Sequence, residues 1–260
     1  YTSKNIVEKC ISFIKENLEI KKNDLIIEPS AGNGSFIDLI KTLSYNYKFY
    51  DIEPQHIDII KKDYLLLDQK DIESNETKNK IHVIGNPPFG RQSSLAIKFI
   101  KKSCLYCDTI SFILPKSFKK ESLKKYFPLK YHLIYEYELP KNSFFVGEKT
   151  HDVPCVFQIW EKKNYDRYIP EKIKTKGYQF VKQNENPDIS FRRVGVYAGK
   201  IDRDTESKSF QSHYFIKFEH DLTDEVFETL ASINYQSKNN TVGPKSISKQ
   251  ELIKEFNVFF

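Results

Sequence analysis

A strand, a glycine turn and a helix follow one another near the start of the chain, and this succession constrains the fold most. Residues 25–28 form a short apolar run, the turn that follows contains Gly32 and Gly34, and residues 36–43 have helical spacing. Glycine lets a backbone adopt positive φ and approach a ligand closely. The pattern therefore predicts the first part of an α/β sheet, with a nucleoside site at the end of its first strand.

Further apolar strand candidates alternate with helical stretches, at residues 48–51, 81–85 and 109–114. This alternation predicts a mostly parallel sheet of the α/β class, built from right-handed crossovers. Residues 131–139 and 153–160 have no long helix between them, which predicts an antiparallel hairpin at one edge. The polar segment 68–80 is expected to be a surface loop.

The sequence Asn86-Pro87-Pro88-Phe89 follows the apolar run 81–84. Each proline fixes φ at about −65° and removes an N–H, so the carbonyl oxygens at this corner are held in place. The amide oxygen of Asn86 and the carbonyl of Pro87 can accept both hydrogens of an aromatic amine, while Phe89 stacks on the ring. We predict that these four residues are catalytic and that they act on a nucleobase. The alternative is an ordinary turn after a proline-terminated strand.

Acidic residues stand where a nucleoside site needs them. Glu28, at the end of the first strand, suits a cationic amino-acid portion better than a pyrophosphate. Asp51 ends the next strand and is assigned, with its neighbour Ile52, to the ribose end of the cofactor. A helix cap is the alternative role for Asp51. Asp63 and Tyr64 are assigned to the adenine amine and ring.

Together these motifs resemble the gamma-class amino-methyltransferases, which use S-adenosylmethionine to methylate adenine N6. The segment Tyr1-Thr2-Ser3 is similar to the family's N-terminal cofactor motif, although Ser3 stands where the family has proline. The resemblance covers about residues 1–162, and the order of the motifs is that of the gamma class. Motifs and resemblance together assign to the cofactor Tyr1, Thr2, Ser3, Glu28, Pro29, Ser30, Ala31, Gly32, Asn33, Gly34, Asp51, Ile52, Asp63, Tyr64 and Asn86.

The resemblance implies a class-I methyltransferase domain with a Rossmann-like sheet over residues 1–162. It implies methyl transfer from S-adenosylmethionine to adenine N6 in DNA after base flipping, by a solitary enzyme or by the methylating half of a restriction-modification system. Phe145 would then face Phe89 across the target base. The alternative is that Phe144 and Phe145 are both core residues at a strand edge.

Several other functions remain open on the sequence alone. The same chemistry on ribosomal or cap-adjacent RNA is the main alternative to DNA. Methylation of cytosine N4 or of a protein glutamine uses related motifs, and an inactive cofactor-binding partner subunit is a further class. A magnesium nuclease built on Asp152, Glu161 and Lys163 is the last alternative; the short spacing and the strand pattern of this segment count against it.

Residues 163–260 form a separate appendage, predicted to be a small α+β unit. Four of the five arginines lie here, and basic, aromatic and small residues alternate over residues 191–200. We predict that this unit recognises the target, with Arg192 and Arg193 binding substrate. The alternative is a cover for the cofactor domain without base readout. Ser248 and Glu251 form a capping-box pattern that predicts a last helix ending near Phe256.

Composition sets limits on the partners. The net charge is +6, and a dense basic segment, expected to be helical, contains Lys116, Lys119, Lys120, Lys124, Lys125 and Lys130. This charge is compatible with a nucleic acid partner, DNA rather than RNA on the resemblance, and equally with a solvated face. No apolar run approaches the roughly 20 residues of a membrane span. We expect an intracellular monomer, in the cytoplasm, the nucleus or a viral factory according to source.

Four cysteines, Cys10, Cys104, Cys107 and Cys155, stand mostly in apolar surroundings. Such positions are typical of reduced core thiols. The Cys104 and Cys107 pair has no second cluster nearby, so we expect no metal site.

Overall fold

The computed structural model describes residues 1–72, 79–147 and 149–260, which divide into two units, Tyr1–Tyr168 and Ile169–Phe260. The first unit contains, in chain order, α1 Lys4–Asn17, β1 Leu25–Glu28, α2 Ile37–Leu43, β2 Asn46–Asp51, β3 Ile60–Lys61, α3 Gln69–Ile72, β4 Ile81–Gly85, α4 Ser94–Ser103, β5 Thr109–Pro115, α5 Glu121–Lys124, β6 Tyr131–Glu138, β7 Phe144–Val146, β8 Lys149–His151 and β9 Cys155–Lys162. No helix within the described ranges has both the length and the apolar content of a bilayer span.

The main sheet has seven strands in the order β3-β2-β1-β4-β5-β9-β6. Neighbouring strands from β3 to β5 are parallel, and β9 is antiparallel to both β5 and β6. The predicted class-I methyltransferase sheet, mostly parallel with an antiparallel hairpin, is therefore confirmed. The second strand of that hairpin, β9, lies between β5 and β6.

Helices cover both faces of this sheet, and alternate strand residues face different helices. Ile26 belongs to a core cluster with residues of α1 and α2. Its neighbours Leu25 and Ile27 belong to a second cluster with Phe99 and Ile100 of α4. Because both faces are covered, β1 and β5 are buried along their whole length and are composed mainly of apolar residues, as strands of parallel sheets commonly are.

The segment 68–80 is not simply a surface loop. Residues Gln69–Ile72 form α3, and the side chain of Ile72 is buried in the core beside α4. Burial of this apolar side chain explains why the chain turns inward here. The rest of the segment lies largely outside the described residues.

The basic segment after β5 does not form the expected helix. It contains a 3-10 turn at Lys116–Lys119 followed by one helical turn, α5. The ammonium groups of Lys116 and Lys119 both contact Glu138, and Lys124 pairs with Glu121 at 2.9 Å. Part of the positive charge is thus neutralised within the protein.

Arg167, which the sequence placed in the appendage, belongs to the first unit. Its guanidinium lies 5.6 Å from the ring of Trp160, and its N–H groups donate to the backbone carbonyls of Lys124, Phe127, Pro128 and Tyr131. These carbonyls engage both terminal nitrogens of the guanidinium. Arg167 therefore stabilises the segment between α5 and β6.

The second unit is a four-stranded antiparallel sheet with two helices. Its elements are β10 Tyr178–Val181, β11 Ile189–Arg192, β12 Ile201–Asp202, β13 His213–Phe218, α6 Asp224–Ala231 and α7 Lys249–Phe256, with strand order β10-β13-β11-β12. This confirms the predicted small α+β fold. The capping box of Ser248 and Glu251 is present at the start of α7, and the helix ends at Phe256 as predicted.

Candidate active site

The carboxyl ends of β2, β1 and β4 lie side by side, because these strands are parallel neighbours. They end in Asp51, Glu28 and Gly85, and Asn86 follows directly. Ligands of open α/β sheets bind at this edge of the strands. The structure thus brings the cofactor acids and the proline corner assigned from the sequence to one place.

The turn after β1 is tight. The Ala31 N–H donates to the carbonyl of Tyr50 at 2.9 Å, and the Gly34 N–H donates to the carbonyl of Ala31 at 2.8 Å. Gly34 has a φ of 82°, and a Cβ at this position would lie 2.9 Å from Cδ1 of Ile37. Only glycine satisfies both the backbone conformation and the packing against α2. The turn therefore requires glycine at position 34.

Asp51 fixes this turn from the end of β2. Its Oδ2 accepts the Gly32 N–H at 2.8 Å, and its Oδ1 accepts the Glu53 N–H at 2.9 Å. Each carboxylate oxygen has a second lone pair, so Asp51 can still accept from ligand hydroxyls. The adjacent Ile52 side chain is 62% exposed. An apolar side chain thus stands open beside the acid.

Glu28 is buried without a complete set of partners. Its Oε2 atom is inaccessible and accepts no hydrogen bond from the described residues. Burial, together with the nearby charge of Asp51, holds the pKa of the Glu28 carboxyl well above its usual range. A Cβ at Gly85 would lie 3.2 Å from Cγ of Glu28, so glycine there makes room for the carboxylate. This orphaned group fits a ligand that brings a cation.

Asn86 is held from two sides. Its Nδ2 donates to Oγ1 of Thr2 at 3.1 Å, and its backbone carbonyl accepts from Oγ of Ser30 at 3.2 Å. No described residue donates to Oδ1 of Asn86 or to the carbonyl of Pro87. Two oxygen acceptors at the proline corner are therefore available to a ligand, and the amide orientation is set by Thr2.

A pocket of about 240 Å³ opens at this corner. That volume is below the ~300–1,000 Å³ of drug-sized sites. Its lining residues are Tyr1, Asn86, Pro87, Pro88, Phe89, Phe144, Phe145, Val146, His151 and Val153.

Pairing of the N-terminal segment with β7 builds one wall of the pocket. The Phe145 N–H donates to the carbonyl of Tyr1 at 2.8 Å, and the Ser3 N–H donates to the carbonyl of Ser143 at 3.0 Å. Thr2 forms an antiparallel bridge with Phe144. This pairing delivers the hydroxyl of Thr2 to Asn86.

Phe144 and Phe145 have different environments, because successive residues of a strand face opposite sides. Phe144 is buried in the core cluster of α1 and α2, whereas Phe145 is 37% exposed. Phe89 is half-buried and packs against both core clusters of the first unit. Phe89 and Phe145 both line the pocket with part of their surface accessible.

Tyr64 lies in the core, only 1% exposed. Its ring stacks on Phe99 with centroids 5.5 Å apart, and its hydroxyl contacts Oγ of Ser103 at 2.7 Å. This packing leaves no open ring face for an adenine. The assignment of Tyr64 to the adenine ring of the cofactor is therefore corrected: Tyr64 is a core residue. Asp63 is half-buried, and its Oδ1 accepts the Leu65 N–H at 2.9 Å.

The two arginines assigned to substrate binding use their side chains within the second unit. Nε of Arg192 donates to the carbonyl of Val194 at 2.9 Å. A terminal nitrogen of Arg193 donates to the carbonyl of Gln211 at 2.7 Å, and its guanidinium lies 5.5 Å from the ring of Tyr214. Both side chains are half-buried, and each retains further N–H donors.

The sequence did not reveal every residue at this site. His151 and Val153 line the pocket only because the β7 and β8 hairpin folds back over the proline corner. After that corner, Gln92 and Ser93 adopt left-handed φ of 52° and 62°. Side chains other than glycine are strained in this conformation, and such strain often accompanies functional sites. The sequence carries no signal for it.

The four cysteines are free thiols. Burial raises the pKa of the Cys104 and Cys155 thiols to about 12, and holds the pKa of the Cys107 thiol well above its usual range. Within residues 1–72, 79–147 and 149–260, no group of three or more His, Cys, Asp or Glu side chains is placed to hold a metal ion.

Part of this chain is similar in sequence to known methyltransferases. The Type II methyltransferase M.HincII from Haemophilus influenzae is 34% identical over 97 residues, which are 37% of this chain and 18% of that protein. The chain thus spans less than a fifth of the length of this relative.

Solved structures with similar folds include the methyltransferase subunit of a type I restriction-modification system from Streptococcus thermophilus. That structure has 15% identity and a TM-score of 0.45, over 64% of this chain and 45% of that chain. The 23S rRNA methyltransferase ErmE has 14% identity and a TM-score of 0.43, over 61% of this chain and 69% of that chain.

The model of the EDM2 methyltransferase-like domain family matches residues 19–189, more than half of the chain. The match contains β1, the glycine turn, Asp51 and the proline corner. This chain therefore belongs to the EDM2 methyltransferase-like domain family.

Proposed function

We propose that the first unit binds S-adenosylmethionine and transfers its methyl group to the exocyclic N6 of adenine in DNA. The observation that carries the proposal is the pair of unpartnered acceptors, Oδ1 of Asn86 and the carbonyl of Pro87, at the strand edge that also holds Glu28. Two acceptors match the two hydrogens of an aromatic amine. DNA is proposed as substrate because the motif order is that of the gamma class.

The proposed cofactor site uses groups with complementary charge. Glu28 would bind the amino group of the cofactor's methionine portion, which gives its buried carboxylate a partner. Asp51 would accept from the ribose hydroxyls, and Ile52 would cover one face of the adenine. Asp63 would accept from the adenine amine. Backbone around Gly32 and Gly34, with Asn33, would lie against the ribose.

The proposed catalysis depends on orientation. When bound, S-adenosylmethionine supplies an electrophilic methyl group on a sulfonium. Asn86 and Pro87 would hold both amine hydrogens, which turns the nitrogen lone pair out of conjugation and toward that methyl. The same oxygens would stabilise the positive charge that develops on nitrogen. Phe89 and Phe145 would replace the stacking that a flipped base loses.

Cofactor affinity is expected to rise with pH if Glu28 binds the amino group. The free carboxyl has a raised pKa, so it binds a proton at low pH, and pairing with a cation favours the ionised form. Binding should therefore release a proton, and affinity should increase with pH as the free carboxyl loses its proton. Calorimetry in buffers of different ionisation enthalpy measures this release.

Two controls isolate Glu28 in that experiment. Methylthioadenosine lacks the amino-acid portion, so its affinity should stay flat as the pH changes. Glu28→Gln should weaken binding of S-adenosylmethionine and remove the proton release. Unchanged proton release in Glu28→Gln would assign the titration to another group.

Thr2→Val is expected to reduce kcat by about ten-fold, because it removes the acceptor that orients the Asn86 amide. Thr2→Ser keeps the hydroxyl and should retain most of the activity. Cofactor affinity, measured by calorimetry, should change by less than about two-fold in both variants. A loss of cofactor affinity with normal kcat would instead place Thr2 in the cofactor site.

Labelled methyl transfer tests the proposed function. The protein is incubated with methyl-labelled cofactor and separate DNA and RNA pools, and the digested nucleosides are identified by mass spectrometry. We expect labelled N6-methyl-2′-deoxyadenosine from the DNA pool. Label only in the RNA pool would show that the substrate is RNA instead of DNA. Cofactor binding without turnover on either pool would favour an inactive partner subunit.

A further inference from the structure

A groove of about 500 Å³ lies in the second unit, where β10 ends and β13 begins. Four Phe and Tyr rings line it: Phe180 of β10, Tyr214 and Phe215 of β13, and Phe210 in the preceding loop. Phe180 and Tyr214 meet edge to face with centroids 5.6 Å apart. Phe210 is 73% exposed and is not part of the core of this unit. The groove therefore presents ring faces to a ligand.

The charge around these rings is positive. Lys182 and Lys249 border the groove, and Nζ of Lys249 lies 4.4 Å from the ring centroid of Phe180 and 5.7 Å from that of Tyr214. No aspartate or glutamate is among the described residues that line the groove, and none of those residues forms an ion pair with Lys249. Aromatic platforms bordered by cations bind nucleic acid strands, because bases stack on rings and phosphates attract lysines.

An amide group completes the groove. Nε2 of Gln183 lies 2.8–2.9 Å from the carbonyl oxygens of Thr205, Glu206 and Lys208, which share its two hydrogens and fix the loop after β10. The next side chain, Asn184, is exposed and makes no hydrogen bond to the described residues. An asparagine amide can pair with the edge of a base. The Gln183 amide thus fixes the loop, and the Asn184 amide is available to a ligand.

We propose that this groove binds an unpaired nucleotide of the substrate strand. The base stacks on Phe210 beside Tyr214, its edge contacts Asn184, and flanking phosphates contact Lys182 and Lys249. This assignment rests on the proposed function for the class of its ligand. It adds a strand-binding site separate from the residues of methyl transfer, and its chemistry is shared by DNA and RNA.

Fluorescence anisotropy of the full chain with labelled oligonucleotides tests the groove. The probes are a single-stranded DNA, the RNA of the same sequence and the matching duplex DNA. Phe210→Ala should weaken binding of one of the two single-stranded probes, the DNA or the RNA, by about ten-fold, because one stacked base is lost. Phe259→Ala is the control, since Phe259 is 47% exposed in the same unit but does not line the groove.

A charge variant tests the phosphate contact separately. Lys249→Gln should lower affinity and reduce the slope of log affinity against log salt by about one. Lys254→Gln, further along α7, should leave the slope unchanged. An oligonucleotide that carries 5-iodouracil should cross-link to the peptide of residues 209–215. This readout does not depend on the stability of any variant.

The outcomes separate the groove from the proposed function. Wild-type affinity in Phe210→Ala, or no binding of either single strand by the unaltered protein, overturns the groove even if methyl transfer is observed. If Phe210→Ala weakens oligonucleotide binding but the unaltered protein transfers no methyl group, the proposed function is overturned and the groove remains a nucleotide-binding site. The single-stranded probe whose affinity falls in Phe210→Ala shows whether the groove binds a nucleotide of DNA or of RNA.

Discussion

Asn86→Ala should abolish methyl transfer while the protein still binds its cofactor. The substitution removes one of the two acceptors at the proline corner and leaves Glu28 and Asp51 in place. Loss of one preorganised group that stabilises transition-state charge costs about 10²–10³ in rate. The rate is measured as transfer of labelled methyl groups, and cofactor affinity by calorimetry.

Asn164→Ala is the control for that experiment, because Asn164 is exposed in the first unit after β9. It should retain both activity and affinity. Transfer by Asn86→Ala within about ten-fold of the unaltered rate would remove the amide from the chemistry. Loss of cofactor binding in Asn86→Ala would show that Asn86 acts mainly in the cofactor site.

Asp51→Ala should fail in the opposite way, by losing cofactor affinity. The substitution removes the acceptor of the Gly32 N–H as well as the proposed partner of the ribose hydroxyls. Hydrogen bonds to a charged group contribute about 1.5–3 kcal/mol each, so affinity should fall at least about ten-fold. Calorimetric titration with S-adenosylmethionine measures the change.

Asp58→Ala is the matched control for Asp51. Asp58 is an exposed carboxylate of the same region that pairs with Lys41 at 2.5 Å, and exposed pairs contribute little. It should bind the cofactor normally. Tight binding of S-adenosylmethionine by Asp51→Ala would remove Asp51 from the cofactor site.

Local sequence patterns were sufficient to predict the sheet and the residues at its edge. Strands β1 and β5 are buried on both faces, so their mainly apolar composition is a clear signal. Asp51 and Asn86 follow strands directly, and parallel order brings such strand ends together. These predictions needed only periodicity and the position of polar residues relative to strands.

Other features depend on distant contacts that local patterns do not encode. Tyr64 follows an acid in a loop, and only the fold shows that its ring packs on Phe99. Arg167 stands in a polar stretch, yet its partners are backbone carbonyls about 40 residues earlier. The contact between Thr2 and Asn86 joins residues far apart in the chain through pairing with β7.

The atom that receives the methyl group tests the central claim most directly. An adenine-containing oligonucleotide is methylated with labelled cofactor, digested, and resolved by chromatography that separates N6-methyladenine from N1-methyladenine of equal mass. Two acceptors that hold an exocyclic amine predict label on N6. Label on the ring nitrogen N1, whose lone pair needs no such acceptors, would contradict the proposed role of Asn86 and Pro87.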